Sequence, residues 1–329
     1  MTRPALAVIV VNYGSDELVE RNLKGLDAAA DGIRVFVVDN FCSIESSQAM
    51  EAAAGRHGWN LISSRTNLGF GAAVNRGARR AVAAGCDCLV FLNPDASISL
   101  EDLQALGAAC SADRAALISP VVVRTDGTPW FRIGRIVVEG GGLAPMRQPP
   151  SADDIGWLTG ACLAVHRDLW ERLGGFDDDY FLYWEDVDLS FRCREIGGHL
   201  IVREDLTAVH MVGGTQGGES GKSSAYYHYN CRNRLIFAGK HLGWRDQFRW
   251  VLTTPRDLRE VLNRGGSRQY LHLKAALWPA ATGCLSGLGW LIRLNLRRRS
   301  RRTATAQRWT DAPGRARPTN AGVRGESER

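Results

Sequence analysis

Short, continuously apolar runs recur early in this chain, at Leu6–Val11, Val35–Val38 and Leu89–Leu92, with a weaker one at Leu61–Ile62, and Leu117–Val123 reads as a fifth strand. Runs with no polar alternation suit strands buried on both faces. Helix-like segments separate them. Leu18, Leu23 and Leu26 mark a helical stripe that Ser15 or Asp16 can cap, Gly71–Ala84 is rich in small residues, and a further helix follows near Leu100–Ala109. Strands alternating with helices predict an α/β fold, with a mainly parallel sheet flanked by helices and right-handed crossovers. Asp126-Gly127 reads as a turn. Beyond it, Gly140–Asp154 and Gly213–Gly221 read as mobile loops. Helices are expected near Asp168–Leu173, Asp186–Glu195 and Tyr226–Leu242, and strands at His199–Val202 and Thr207–His210. Past Trp244 only helices are expected. The implied division is an α/β domain over residues 1–243, a helical C-terminal extension over 244–302 and a disordered basic tail over 303–329.

The 329 residues are 45% apolar, enough for a sizeable core. The net charge of +6 is unevenly placed. Arg293–Arg329 holds eleven Arg against three acidic residues, a balance of +8 that leaves −2 for everything before it. A nearly neutral body argues against nucleic acid as a partner, and a basic tail suits anionic lipid. Ala275–Ile292 carries no formal charge, yet Pro279, Gly283, Gly287 and Gly289 interrupt it. A spanning helix needs about twenty apolar residues, so a helix lying on the inner leaflet or packed on the domain is expected instead. The eight cysteines are scattered through apolar stretches, with no signal-peptide pattern ahead of them, and read as reduced thiols of a cytoplasmic protein. Cys86 and Cys88 form a close pair, but no further ligands stand near them, so they read as core.

Ligands bind open parallel sheets at the carboxyl ends of the strands. Three strand ends here are polar: Asn12-Tyr13, Asp39-Asn40 and Asn93-Pro94-Asp95. Any one could be a cap or a turn, but three on one edge favour a ligand cleft. Asp39 could accept hydrogen bonds from a base or ribose, and Asp95 could bind a hard cation that also holds a diphosphate. Gly69-Phe70-Gly71 is a weak match to a dinucleotide fingerprint, because Val74 stands where the third glycine belongs. Trp184-Glu185-Asp186-Val187-Asp188 follows an aromatic cluster, Tyr180, Phe181 and Tyr183. Acids at a helix start are favoured by the dipole, and the aromatic surround also suggests an acceptor wall beside a carboxylate base. His210 ends a strand, and imidazole is a good ligand for ions such as Mn²⁺.

In their order along the chain, these pieces resemble the family 2 glycosyltransferases of the GT-A fold over about residues 5–240. The resemblance rests on Val10–Tyr13, Val37–Ser43, Asn67–Asn75, Phe91–Asp95, Gly160-Ala161, Gly174–Asp177, Trp184–Asp188 and His210. The Asn-Pro-Asp form and Arg232-Asn233-Arg234 look like the rhamnosyltransferase branch. The resemblance implies that Asp39 holds the base or ribose, framed by Val11 and Tyr13, and that Asn67 and Gly71 shape the donor pocket along with Asn93. It also implies Asp95 and His210 as ligands of a divalent metal, Mg²⁺ or Mn²⁺, Asp186 as catalytic base, and Trp184 and Glu185 at the acceptor site. One departure stands out: the usual metal motif has Asp at both ends, and here the neutral, weaker ligand Asn93 takes the first position.

The implied activity is inverting transfer of a sugar from a nucleotide-diphosphate donor to a hydroxyl of a glycan or lipid-linked acceptor, in cell-wall or surface polysaccharide synthesis. The favoured donor is dTDP-L-rhamnose. UDP-sugars such as UDP-galactofuranose, and a non-catalytic nucleotide-sugar-binding protein, are the alternatives. A peripheral position on the inner face of the plasma membrane fits the basic C-terminal helices. A nucleotidyltransferase is opposed by Asp16-Glu17 after the first strand, where a triphosphate would need a basic, glycine-rich loop.

Overall fold

The computed structural model describes residues 5–26, 32–146, 154–211, 222–264 and 273–310, of which 299–310 only as backbone. The first half of the chain contains β1 (Leu6–Asn12), α1 (Asp16–Leu23), β2 (Ile33–Asp39), α2 (Ile44–His57), β3 (Asn60–Ser63), α3 (Phe70–Ala83), β4 (Cys88–Leu92), β5 (Ala96–Ile98), α4 (Leu100–Ala112) and β6 (Ala116–Val123). After them come β7 (Pro129–Phe131), β8 (Gly134–Val137), β9 (Gly142–Pro145), β10 (Ile155–Trp157), β11 (Cys162–His166), α5 (Arg167–Leu173), α6 (Glu185–Glu195) and β12 (His199–His210). The C-terminal part is helical: α7 (Ser224–His241), α8 (Trp244–Leu252), α9 (Thr254–Asn263), a π-helical turn at Leu273–Leu277, and α10 (Trp278–Thr310).

The main sheet runs β3-β2-β1-β4-β11-β6-β12-β5, with β7 on β6. Its β3-β2-β1-β4 half is parallel, as the apolar runs predict. β11 then enters antiparallel between β4 and β6, and β12 continues parallel to β6. Strand alternation sorts the core into two layers. Val8, Val10, Val35 and Val37 pack with Val19, Met50, Leu103 and Leu106 on one side. Ala7, Ile9, Phe36 and Val38 pack with Val74, Ala78, Phe176 and Leu189 on the other. Ser43 and Ser99 cap α2 and α4 by accepting from Ser46 N at 3.2 Å and Asp102 N at 3.0 Å.

Three sequence expectations need correction. The stretch expected as a loop at Gly140–Asp154 contains β9, which pairs with β8 and with it forms a small sheet completed by β10. The strands expected at His199–Val202 and Thr207–His210 are one strand, β12, with a register shift between Arg203 and Thr207. Ser15 does not cap α1 through its side chain. Buried Asn12 does the local work, accepting from Ser15 N at 3.0 Å and donating to Asp16 Oδ1 at 2.6 Å. Gly213–Gly221 and residues 311–329 lie outside the described residues, and the end of α10 falls within the segment expected as a tail. All eight cysteines are free thiols, with Cys86 and Cys88 buried in the core as expected.

The helical part packs closely on itself. A Cβ on Gly283 would meet His228 O at 2.2 Å, and one on Gly287 would meet Arg232 O at 2.6 Å. Only glycine lets α10 approach the backbone of α7 this closely. Arg234 is buried in the same part. It donates to Gly141 O, Trp250 O and Thr253 Oγ1, and pairs with Asp257.

Candidate active site

The carboxyl edge of the sheet gathers the polar residues singled out in the sequence. Asp39 ends β2 opposite Asn12, is buried, and accepts from Phe41 N at 3.3 Å. Phe41 itself takes a left-handed backbone, φ 46°. Val11 is buried in β1, whereas the Tyr13 ring just past it is half exposed at the rim. Beside Asp39, Asn40 holds the next loop in place. Its amide donates to Asn67 Oδ1 and Gly69 O at 2.9 and 3.2 Å, and its carbonyl accepts from Leu68 N at 2.8 Å. Asn67 Oδ1 also accepts from Gly69 N at 2.9 Å, so this side chain shapes the turn into α3.

That turn is pressed against the segment that leads into α6. Phe70 N donates to Phe181 O at 2.8 Å, and a Cβ on Gly69 would lie 2.3 Å from the same oxygen. A Cβ on Gly71 would lie 3.0 Å from Phe176 Cβ and 3.7 Å from Glu185 Cβ. Asn75, which no sequence motif assigned a role, locks the two segments from inside α3. It donates to Phe176 O at 2.8 Å and accepts from Phe176 N at 2.9 Å. An amide on the buried face of an apolar helix was the available signal.

Asp95 follows β4 and is buried, with its Oδ1 3.0 Å from His210 Nε2 at the end of β12. His210 Nδ1 is buried with no hydrogen-bond partner among the described residues, and the ring packs 4.5 Å from Trp130. Asn93 spends its backbone on the local turn, donating to Ala161 O and accepting from Ala96 N, both at 3.0 Å.

The Asp95–His210 pair fits a hard divalent cation. Two neighbouring ligands of an octahedral ion with bonds of about 2.1 Å stand about 3 Å apart, the separation found here. No group of three or more His, Cys, Asp or Glu side chains able to hold an ion occurs among the described residues. The remaining positions would therefore fall to phosphate oxygens and water, as is common for Mg²⁺ sites.

Asp186 opens α6 next to this edge. Its Oδ2 accepts from Gly160 N at 3.0 Å and its Oδ1 from Val187 N at 2.8 Å. Through Gly160 and Ala161 it is tied to the end of β4. Burial pushes its carboxyl up to about 6, although those backbone donors pull the other way. Burial and the neighbouring Asp186 charge push Glu185 well above the usual carboxylate range. Its Oε2 has no hydrogen-bond partner among the described residues. Glu185 is thus a buried carboxyl lying against α3, in surroundings that disfavour its charged form. The Trp184 ring is buried too, packed against Phe237 and Trp250, so what reaches the cleft at this position is backbone.

Tyr183 and Trp184 hold consecutive left-handed conformations, φ 65° and 75°. For large side chains each costs about 1–3 kcal/mol and persists only where surroundings impose it. Asn233 imposes it, donating to Leu182 O at 2.9 Å and Tyr183 O at 2.8 Å. Arg232 orients that amide through Asn233 Oδ1 at 2.7 Å and anchors on Asp179 O. Asp188, two residues past Asp186, is fully buried between Arg192 and His241, each at 2.6 Å. Burial alone would raise its carboxyl; the hydrogen bond from His241 and the Arg192 charge outweigh that and hold it below its ordinary value. Arg192 also donates to Leu173 O and Gly175 O, which fixes the loop before the aromatic cluster.

The arrangement is a half-buried carboxylate tuned toward neutral pH, near a carboxylate–imidazole pair whose donors suit a cation, on the edge where Asp39 also ends. The model of the family described as glycosyl transferase family 2 matches residues 7–174. The N-acetylglucosaminyl-diphospho-decaprenol L-rhamnosyltransferase of Mycobacterium tuberculosis is 30% identical over 78% of this chain and 92% of its own. The rhamnosyltransferase WbbL of Escherichia coli K12 is 26% identical over 62% of this chain and 83% of its own. Among solved structures, a mannosyltransferase of Pyrobaculum calidifontis in complex with GDP-Man and Mn²⁺ superposes with a TM-score of 0.53 at 20% identity, covering 90% of this chain and 87% of that one. GalNAc-T7 with UDP, GalNAc and Mn²⁺ gives a TM-score of 0.55 at 14% identity, over 82% of this chain and 53% of the other.

Proposed function

The chain belongs to glycosyl transferase family 2, and from that premise we propose that it transfers L-rhamnose from dTDP-L-rhamnose to a hydroxyl of a lipid-linked glycan, with inversion, on the inner face of the plasma membrane. The single observation that carries the catalytic reading is Asp186. It is a half-buried carboxylate raised to about 6, held by two backbone donors at the mouth of the sheet edge. A base works best with its pKa near the operating pH.

Each residue then has a task. Asp39 accepts from the donor's base or ribose, with Val11 and the Tyr13 ring beside it. Asn67 and Gly71 set the turn that borders the donor, and Asn93 fixes the strand end that presents Asp95. Asp95 and His210 would hold a divalent cation, which when bound neutralises charge on the departing diphosphate. Asp186 takes the proton from the acceptor hydroxyl as that oxygen attacks the anomeric carbon opposite the leaving group. Two backbone N–H bonds fix its carboxylate, so little reorganisation accompanies the transfer. Burial disfavours a second negative charge on Glu185 beside the base, and Trp184 gives the acceptor side its strained backbone. The activities of the similar proteins favour rhamnose and a polyprenol-linked acceptor. Mixing purified protein with dTDP-L-rhamnose, Mn²⁺ and a polyprenyl-diphosphate N-acetylglucosamine acceptor should release dTDP in proportion to a rhamnosylated product. Turnover with UDP-sugars only would reject the donor, and binding without turnover would reject the enzyme.

A further inference from the structure

Charge divides this chain sharply at the start of α8. Residues 244–310 carry fourteen Lys or Arg against three acidic residues, whereas residues 1–243 carry 23 against 29. The basic half is also where large apolar side chains stand in solvent. On α8, Trp244, Phe248 and Leu252 repeat at i, i+4 and i+8 and are 72%, 60% and 63% exposed. The opposite edge of the same helix is buried through Gln247 and Trp250, so the exposed stripe is not the face by which α8 packs on the protein. On α10, Trp278, Leu285 and Ile292 repeat every seven residues and are 67%, 70% and 50% exposed. The two helices meet where Asn295 Nδ2 donates to Gln247 Oε1 at 2.9 Å.

A soluble helix exposes isolated apolar residues, not a full stripe flanked by cations. Arg245 and Arg249 flank the α8 stripe, and Arg293 and Arg297 lie beside the α10 stripe. Aromatic and aliphatic residues on one face with Arg at its margins is the pattern of a helix lying in the boundary between lipid headgroups and acyl chains. We infer that α8 and α10 together form a docking surface for an anionic lipid bilayer, and that α10 lies on it rather than crossing it. The charge asymmetry selects the occupant, because phosphate-bearing headgroups complement a segment with eleven excess cations. A two-fold contact with a second copy of the chain would bring those cations against one another.

The geometry of α10 supports lying over spanning. Together with the π-helical turn before it, the helix is long and apolar enough to cross, Lys274–Arg298. Its inner face is committed, however, since Gly283 and Gly287 rest on the backbone of α7, and Ala276, Ala280 and Leu291 are buried. Crossing the bilayer would strip all of that contact, as well as the Asn295–Gln247 bond. The inference deepens the proposed use of a lipid-linked acceptor. It can fail without that reading failing, because no residue of this surface belongs to the cleft.

The test is flotation of the purified full chain with vesicles of phosphatidylcholine containing about one-third phosphatidylglycerol, against phosphatidylcholine alone. Binding is expected to the anionic vesicles only, and to fall at least tenfold when salt is raised to roughly 0.5 M. Trp244→Ser, Phe248→Ser and Leu252→Ser combined should weaken it at least tenfold. Arg245→Gln with Arg249→Gln should weaken it less and flatten the salt dependence. All variants should keep the dTDP affinity of the parent, which separates loss of this surface from loss of the fold or the donor site. Equal vesicle binding by the serine variant, absence of vesicle binding by the parent, or resistance of the bound protein to alkaline extraction would overturn the proposal. So would a parent dimer that the serine variant dissociates with vesicle binding unchanged.

Discussion

Asp186→Asn is expected to cost turnover at least about a hundredfold, the lower end of what a positioned base contributes, while leaving the fold at least as stable at pH 8. The carboxyl of Asp186 sits at about 6 because it is buried, about 2 units above an ordinary Asp, which amounts to about 3 kcal/mol against the charged form. Raised in the folded state, the group penalises folding where it must ionise. The penalty is absent below about pH 4, grows as pH rises, and is complete above about pH 6. Asparagine removes it. Its amide can accept from only one of Gly160 N and Val187 N, however, and leaving one donor unmet costs about 1–3 kcal/mol. The balance at pH 8 is a gain of about 0–2 kcal/mol, and near pH 4, where the ionisation penalty is absent, it should turn into a loss of about 1–3 kcal/mol. Urea unfolding at both pH values measures it, alongside turnover with saturating donor. The parent's turnover should fall tenfold per pH unit below about 6, since the base must be ionised, and the residual activity of the variant should lack that limb. A variant within tenfold of the parent, or one less stable than the parent at pH 8, would refute the assignment and the burial argument respectively.

Three further outcomes follow from the same geometry. Asp95→Ala should abolish the Mn²⁺-dependent tightening of dTDP binding, measured by calorimetry with and without the ion, while metal-free binding changes little. Asp188→Asn leaves Arg192 and His241 short of a buried partner and should cost about 3–5 kcal/mol in chemical denaturation. Because the Asp188 carboxyl is held below its ordinary value, its stabilisation is present above about pH 4 and is lost as pH falls below that, so the gap between variant and parent should narrow in acid. Gly69→Ala places a Cβ 2.3 Å from Phe181 O at φ 82°. It should lower both stability and donor affinity, read by thermal shift with and without dTDP.

The parallel half of the sheet was legible because strands buried on both faces must be apolar throughout, and Leu6–Val11 and Leu89–Leu92 are. β11 was not, since Cys162–His166 is a short apolar stretch whose meaning depends on being inserted antiparallel between β4 and β6. The β8–β10 sheet hid in a glycine-rich stretch that composition alone reads as loop. At the site, acidic and amide residues at strand ends could be named in advance. The family resemblance put His210 with Asp95, which meet across 115 positions, but nothing in the sequence put Asn233 against Tyr183, 50 positions away. The Arg232-Asn233 pair looked like a mark of lineage and turns out to hold the turn into α6.

The sequence by itself determined which side chains stand on the sheet's working edge, because strand ends and helix starts follow from local pattern. Tertiary structure decided what those side chains are chemically. Asp186 and Asp188 are the same residue type two positions apart on one helix, and that spacing turns them to different faces. One meets only backbone donors in a half-buried cleft and is raised toward neutrality. The other meets Arg192 and His241 and stays charged. No local pattern distinguishes them, because acidity is set by whatever the rest of the fold places within a few ångströms.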